Sequence, residues 1–561
     1  MITKINKFAL LLLMLCCTLS VSAASEAEYK KLAKTWTLNA NGSQEFRYNM
    51  ELTLYTHAAM NSKYGESFIV YNPQYQTLKI NKSYTKQKDG NIVKTPANAF
   101  VEVLPKNAAD APAYNHLKEM VVVHTGLELG ATIYLDYTIT SKPGYLPELD
   151  IFETIQQASP IREYTLTTVT PSNKEVRYTL ANSGIKAVTK EKDGKKVTAW
   201  TLHNVPQVST SAFVSVSNGD LPYLAATTYE NSKTALRALN KQMNVSDNQL
   251  KDLVAKVTKG SKCEKCKMKK IIGFIANNLS TSALTLEQTG YRFRSADEVL
   301  ATAYGTEVEK ANLMAAMLQA AGLKAEVLAG YPVQAGEGLA LKAINHLYVA
   351  VDGESYIFPI GSLARPQQVI FGQSPVYKLA DGTLMAVEAS QKHQITGKQT
   401  VTVKEGKWIF ANEEIVGDDL LPYFLNGKMN KETSEAVKVQ NGYATLVLKE
   451  SANGINSLGY GRLNSRRDAN LVLPRLVDET YSFEIDCQES MRLCTPAQKK
   501  EIHNLAGDLV LSVEKNGQKA TVTRSLKLSK QLYTPSEYKY LRELLVAWSD
   551  INAKTLLFSV E

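Results

Sequence analysis

The stretch RSADEVLATAYGTEVEKANLMAAMLQAAGLKAEV at residues 294–327, together with NHLYVAVDGESYIFPIG at residues 345–361, decides the fold. Apolar residues recur at three- and four-residue steps over residues 307–321, which is the spacing of one helix face. Gly322 follows as a suitable helix stop. Strand patterns come next, and one of them opens on His346. The sequence therefore predicts a core helix packed on a small sheet.

This layout resembles the catalytic core of bacterial transglutaminase-like proteins, which share the papain-like fold. The family's GDCKDKA-type nucleophile motif corresponds to residues 305–311 here, so Glu307 stands at the cysteine position. The family's NH motif matches Asn345 and His346, whereas the position of its acid holds Phe358. The resemblance implies a transglutaminase-like domain in which the histidine remains and the cysteine and the acid are lost.

Glu307 has two interpretations. A helix N-terminus favours negative charge, so the carboxylate could replace the family's thiolate as a structural anion. It could also be an ordinary first-turn acid, which we favour because such acids are common. His346 is interpreted as a remnant, since a lone histidine is more often structural than catalytic. A site that uses His346 with Glu307 is the alternative.

The region before the core, residues 24–225, is predicted to be an antiparallel β-sandwich. From Glu45 to Tyr55 apolar residues occupy alternate positions, the pattern of a half-buried strand. Turn signals such as Asp193-Gly194 separate many short strands. Residues 30–220 also resemble a domain of unknown function that often precedes transglutaminase-like domains in exported bacterial proteins.

The rest of the chain completes an α+β multidomain architecture. Helical patterns begin near Thr228, and we predict the transglutaminase-like α+β domain over residues 226–375. Strand patterns return in residues 376–561, which are predicted to form a C-terminal β-rich domain. Its clearest signal is Asn516-Gly517 between two alternating strands, typical of a hairpin.

The N-terminus has the pattern of an export signal. Lys4 and Lys7 precede an apolar run over residues 8–21, and Val21-Ser22-Ala23 is a small-residue cleavage site. Residues 1–23 are therefore predicted to be a signal peptide, with the mature chain exported to the periplasm or cell envelope. No later apolar run is long enough to span a bilayer, so no transmembrane span is predicted in the mature chain.

Four cysteines follow the predicted signal peptide, in two close pairs. Disulfides persist in exported proteins, so Cys263 with Cys266 and Cys487 with Cys494 are the candidate bridges. The CxxC spacing of the first pair is interpreted as a structural staple or inert thiols, with redox work as the alternative. Zinc would need two further ligands that the sequence does not supply, so no metal and no cofactor are predicted.

Charge and composition narrow the function classes. The formal charge of +9 is spread along 561 residues and makes no nucleic-acid footprint. The first hypothesis is a non-enzymatic envelope protein whose degenerate domain serves binding or scaffolding, with a peptide, a glycan or another envelope protein as partner. The second is a divergent hydrolase or acyltransferase that uses His346 with Glu307. The third is thiol-redox chemistry at Cys263 and Cys266.

Overall fold

The structure of the protein is a computed structural model. It describes residues 25–214, 219–243, 248–332, 336–352, 356–363, 374–385, 392–418, 426–460, 463–487, 491–517 and 519–560. The predicted signal peptide lies outside these residues. Within these ranges no helix combines the length and the apolar character needed to cross a bilayer.

The N-terminal part is built of strands, as the alternating pattern predicts. In chain order they are β1 (Ala27–Leu38), β2 (Gln44–Leu54), β3 (Glu66–Tyr71), β4 (Gln76–Lys86), β5 (Ile92–Lys94), β6 (Phe100–Val103), β7 (Lys118–Val123), β8 (Thr132–Ser141), β9 (Asp150–Thr154), β10 (Ile161–Pro171), β11 (Arg177–Ala181), β12 (Val188–Lys192), β13 (Lys195–Val205) and β14 (Tyr223–Thr227).

These strands form a large sheet in the order β12-β13-β10-β1-β2-β8-β4-β5 and two small sheets, β3-β7-β6 and β11-β14-β9. Buried side chains of all three sheets share one core, so the region is a sandwich. One pair departs from the predicted antiparallel arrangement, because β1 and β10 run parallel. The chain passes through β9 in a small sheet before β10, and this crossover allows the parallel entry.

The central part holds the predicted helices and a mixed set of strands. The helices are α1 (Ser232–Asn240), α2 (Asn248–Val257), α3 (Glu264–Asn278), α4 (Ala296–Thr302) and α5 (Glu307–Ala320). The strands are β15 (Ser280–Thr281), β16 (Tyr304–Gly305), β17 (Ala325–Gly330), β18 (His346–Val351), β19 (Tyr356–Pro359), β20 (Val376–Lys378) and β21 (Leu384–Met385).

The main central sheet has the order β19-β18-β17-β20-β21. It continues past residue 375, where the sequence places the domain boundary, because β20 pairs with β17. Its two faces belong to different cores. Leu347 and Val349 join the core around α5, whereas Tyr348 and Ala350 join the core of the C-terminal domain. Burial on both faces explains why β18 is apolar after His346 rather than alternating.

The C-terminal part is β-rich, as predicted. Its strands are β22 (Lys392–Lys404), β23 (Lys407–Asp418), β24 (Gly427–Ala436), β25 (Val439–Gln440), β26 (Tyr443–Val447), β27 (Leu471–Val472), β28 (Leu476–Asp486), β29 (Met491–Leu493), β30 (Gln498–Asn504), β31 (Gly507–Asn516), β32 (Lys519–Leu528), β33 (Leu532–Tyr533) and β34 (Thr555–Val560), and its helix is α6 (Tyr538–Ser549).

The larger C-terminal sheet has the order β24-β23-β22-β28-β32-β31-β30. The predicted hairpin is confirmed, because β31 and β32 pair with Asn516 opposite Lys519. Helix α6 covers the core with Trp548, which is 0% exposed.

Strand β14 joins the N-terminal and central parts. Tyr223 and Ala225 point into the core around α5, and Leu224 and Ala226 point into the sandwich core. Successive strand residues face opposite sides, so one strand is buried by two domains at once. The site described below therefore lies on a buried core to which both domains contribute.

Candidate functional site

The N-terminus of α5 is fixed by a capping box. The Thr306 hydroxyl accepts the N–H of Glu309, and the Glu309 carboxylate accepts the N–H of Thr306 at 2.8 Å. A second capping box joins Ser295 and Glu298 at the start of α4. The same Thr-x-x-Glu spacing was present at Thr306 and could have predicted the start of α5.

Glu307 turns its side chain toward the neighbouring strand. Its Oε1 accepts the N–H of Leu347 at 2.9 Å. The carboxylate also lies against Gly361, where an added Cβ would stand 3.4 Å from Oε1. Burial raises the pKa of Glu307, and the N–H groups of Leu347 and Gly361 oppose that rise. The sequence favours an ordinary first-turn acid, and in the structure the carboxyl group also joins the start of α5 to β18 through the Leu347 N–H.

His346 occupies the first position of β18, opposite Gly330. It lines the same cavity as Glu307, with a volume of about 490 Å³, which we call the cleft. Burial lowers the pKa of His346, so the neutral imidazole dominates at pH 7. The structure thus brings together the two residues that the sequence singles out.

The third position of the motif supplies no acid. Phe358 is 0% exposed in β19 and pairs with Val349. Among the described residues, no carboxylate accepts a hydrogen bond from the His346 ring. An imidazole that acts as a base is normally oriented by such a partner, so the described residues supply neither the nucleophile nor the orienting group of a cysteine–histidine–acid site.

Lys310 is a buried member of the same helix end that the sequence analysis missed. Its Nζ donates to the Leu279 carbonyl at 3.2 Å and to Thr281 Oγ1 at 2.8 Å. Burial lowers the pKa of Lys310, and the nearby Glu307 opposes that effect. The Glu-x-x-Lys spacing was the available signal, since residues three apart share a helix face.

Glu309 ties the helix to the N-terminal domain. It is 0% exposed, and its Oε1 accepts the Tyr114 hydroxyl hydrogen and the Arg294 Nε–H at 3.0 Å. Arg294 Nη2 donates to Oε2 at 3.0 Å. The guanidinium also stacks on the Tyr304 ring, 4.4 Å from its centroid. A buried, multiply bonded ion pair therefore holds the first turn of α5 in place.

One of the two cysteine pairs forms a disulfide and the other does not. A disulfide joins Cys263 and Cys266 at the start of α3, where Cys263 is exposed and caps the helix. The expected bridge between Cys487 and Cys494 is not formed. Cys487 is 1% exposed in the C-terminal core, whereas Cys494 is at the surface with its Sγ 3.6 Å from the Arg492 carbonyl. One cysteine is therefore buried and the other exposed, and neither belongs to a disulfide.

Metal ligation finds no support in the described part of the chain. No group of three His, Cys, Asp or Glu side chains lies close enough there to hold an ion.

Substituting Glu307 tests its role as a hydrogen-bond acceptor. Glu307→Ala is expected to lower the free energy of unfolding by about 1–3 kcal/mol, because the Leu347 N–H loses its acceptor in a buried site. Glu307→Gln keeps an acceptor oxygen and should cost less than about 1 kcal/mol. Urea unfolding of both variants checks this, and equal losses would show that the charge matters rather than the acceptor.

Comparison with known families matches three regions of the chain. A domain of unknown function with solved structure (DUF3857) matches residues 40–209, the transglutaminase-like superfamily matches residues 251–358, and a second domain of unknown function (DUF3858) matches residues 445–558. These matches define a protein in which a transglutaminase-like domain lies between two further domains. None of the curated proteins compared with the chain matches it.

Solved structures agree with this architecture. A protein from Parabacteroides distasonis, described as a putative protease, is 42% identical, with a TM-score of 0.82 over 95% of this chain and 99% of its own. The chain belongs to the same family, in which DUF3857, transglutaminase-like and DUF3858 domains follow one another.

Other solved structures share little sequence or fold with this chain. An M1 zinc metallopeptidase from Deinococcus radiodurans is 10% identical, with a TM-score of 0.20 over 45% of this chain and 53% of its own. Aminopeptidase A of Legionella pneumophila is also 10% identical, with a TM-score of 0.20 over 44% of this chain and 28% of its own.

Proposed function

We propose that the mature chain is an exported envelope protein that binds a polypeptide segment in the cleft and does not cleave it. The observation that carries this proposal is the state of Glu307. The residue at the nucleophile position is a carboxylate engaged by the Leu347 N–H rather than a thiol beside a base.

The chemistry of acyl transfer supports the same conclusion. A thiolate attacks the carbonyl, a base takes the proton, and an acid orients the base. Here His346 has no carboxylate partner among the described residues, and Phe358 fills the acid position. What persists is a cleft of about 490 Å³ between helix, strand and loop, of a size that holds a few side chains.

A second candidate function is a divergent hydrolase or acyltransferase. It is favoured by one observation, that Glu307 and His346 line the same cleft. The related protein's description as a putative protease agrees with this candidate. In such an enzyme Glu307 would have to leave its N–H donors before it could accept a proton or attack a substrate.

A turnover assay on the purified chain, residues 24–561, distinguishes the binding protein from the hydrolase or acyltransferase. We expect no ammonia or amine release above background from glutamine peptides and simple amides. The same peptides, carrying a fluorophore, should bind and raise the fluorescence anisotropy. Turnover that disappears in His346→Ala would overturn the binding proposal in favour of the hydrolase, and peptides that neither react nor bind would overturn both.

Export to the periplasm or cell envelope remains part of the proposal and rests on the pattern of residues 1–23. That pattern and the cleft lined by Glu307 and His346 support the proposed partner class, a polypeptide of the envelope.

A further inference from the structure

A second cavity, which we call the interdomain cavity, lies where the sandwich meets the central domain. Its volume is about 420 Å³. Side chains from all three N-terminal sheets line one side, and residues of the central domain line the other. Thr285, Glu287 and Lys342 line both this cavity and the cleft, so the two spaces adjoin.

Most acids around the interdomain cavity already have a cation. Three glutamates are each paired with a lysine: Glu153 with Lys34 at 2.6 Å, Glu148 with Lys174 at 3.0 Å, and Glu287 with Lys342 at 2.8 Å. These pairs neutralise one another and leave little charge to attract a ligand.

Glu45 and Asp150 line the cavity without such a lysine pair among the described residues, and Asp150 is the buried one of the two. It lines the cavity and is 7% exposed, and its Oδ2 accepts the backbone N–H of Lys342 at 2.9 Å. Its Oδ1 is buried and has no hydrogen-bond partner among the described residues. The Lys342 ammonium bonds to Glu287 instead. The backbone N–H groups of Lys342 and Leu341 face the carboxyl, but no described side chain donates to Oδ1, so a further positively charged group would stabilise the ionised acid.

Aromatic side chains form much of the remaining wall. Trp36 and Phe46 lie 5.5 Å apart between ring centroids, and Phe46 and Tyr137 lie 6.1 Å apart. Aromatic surfaces pack well against an alkyl chain, and their faces attract a cation. The wall and the carboxylate together match a side chain with an apolar stem and a charged tip.

We propose that the interdomain cavity is a subsite for a lysine-like side chain of the polypeptide held in the cleft, with the buried Asp150 carboxylate as its counter-charge. This inference rests on the proposed function and adds the class of residue that is recognised. It also gives the N-terminal domain a part in ligand selection, because Asp150 and the aromatic wall belong to that domain.

The probe that tests the subsite is n-butylammonium, with 1-butanol as its uncharged counterpart. Calorimetric titration of residues 24–561 at pH 8 should show butylammonium binding at least about tenfold more tightly than butanol, because only the ammonium is attracted to the ionised Asp150 carboxylate. Asp150→Asn keeps the size of the side chain and an acceptor for Lys342, and it should remove this preference.

A matched control neutralises a different buried acid. Asp136→Asn alters a carboxylate that pairs with Arg47 and does not line the cavity, so the preference should survive. Equal binding of the two probes by the wild-type chain, or a preference that persists in Asp150→Asn, would overturn the proposal. Neither probe contains a peptide group, so this result is independent of the turnover and peptide-binding assays.

The wild-type chain offers a second measurement that does not depend on a variant folding. Burial raises the pKa of Asp150 to about 7. Butylammonium affinity should therefore rise between pH 5 and pH 8 as Asp150 ionises, and a flat profile would count against the proposal. The charged or titratable groups that face Asp150 are Lys342, Glu287, Tyr229, Tyr291 and Tyr331.

Discussion

Glu309→Ala is expected to lower the free energy of unfolding by about 3–5 kcal/mol, the cost of removing one member of a buried ion pair. The substitution leaves the Arg294 guanidinium without its carboxylate partner. The loss is costly because the Arg294 side chain is only 13% exposed. It also removes the acceptor of the Tyr114 hydroxyl and of the Thr306 N–H. Urea unfolding followed by circular dichroism measures the loss.

The chain offers a matched control for this prediction. Glu298 occupies the same position in the neighbouring capping box, but it is exposed and its partners lie within its own helix start. Glu298→Ala should therefore cost about 1 kcal/mol, the usual size of a capping effect. A loss below 1 kcal/mol in Glu309→Ala, or equal losses in both variants, would contradict the assigned role of the buried pair.

The second large effect concerns Asp150 and the pH dependence of stability. Burial raises the pKa of Asp150 from 3.8 to about 7, so the folded state favours the neutral acid. The stabilisation is complete below pH 3.8 and is lost as the pH rises to about 7, because the unfolded state releases its proton first. The contribution of Asp150 to the free energy of unfolding of the wild-type chain is therefore lost across this range.

Asp150→Asn cannot ionise and should escape that loss. Its free energy of unfolding relative to wild type should increase by about 2–4 kcal/mol between pH 4 and pH 8. Glu479, whose pKa burial raises to about 7, is present in both proteins and cancels in the difference. Unfolding curves of the two proteins at several pH values test this, and a difference independent of pH would refute it.

Local patterns predicted the elements that depend on local interactions. Helix α5 followed from three- and four-residue spacing, and the β31–β32 hairpin followed from Asn516-Gly517. The capping box at Ser295 was likewise visible in the sequence. These features are set by hydrogen bonds and packing between residues close in the chain, so sequence reasoning could reach them.

Contacts between residues distant in the sequence could not be predicted from local patterns. Glu309 and Tyr114 are 195 residues apart, and no periodicity connects them. Glu307 looked like any first-turn acid until the position of Leu347 fixed the direction of its side chain. The predicted bridge between Cys487 and Cys494 failed for the same reason, since nearness in sequence does not place two sulfurs in one environment.

The shared strand β14 affects how the protein unfolds and where the chain can be cut into fragments. The family matches end at residue 209 and resume at residue 251, so Tyr223–Thr227 belongs to neither. A fragment cut on either side of this strand would expose one of its apolar faces to water and would tend to aggregate. The N-terminal and central domains should therefore melt in a single cooperative transition and resist proteolytic separation at this joint.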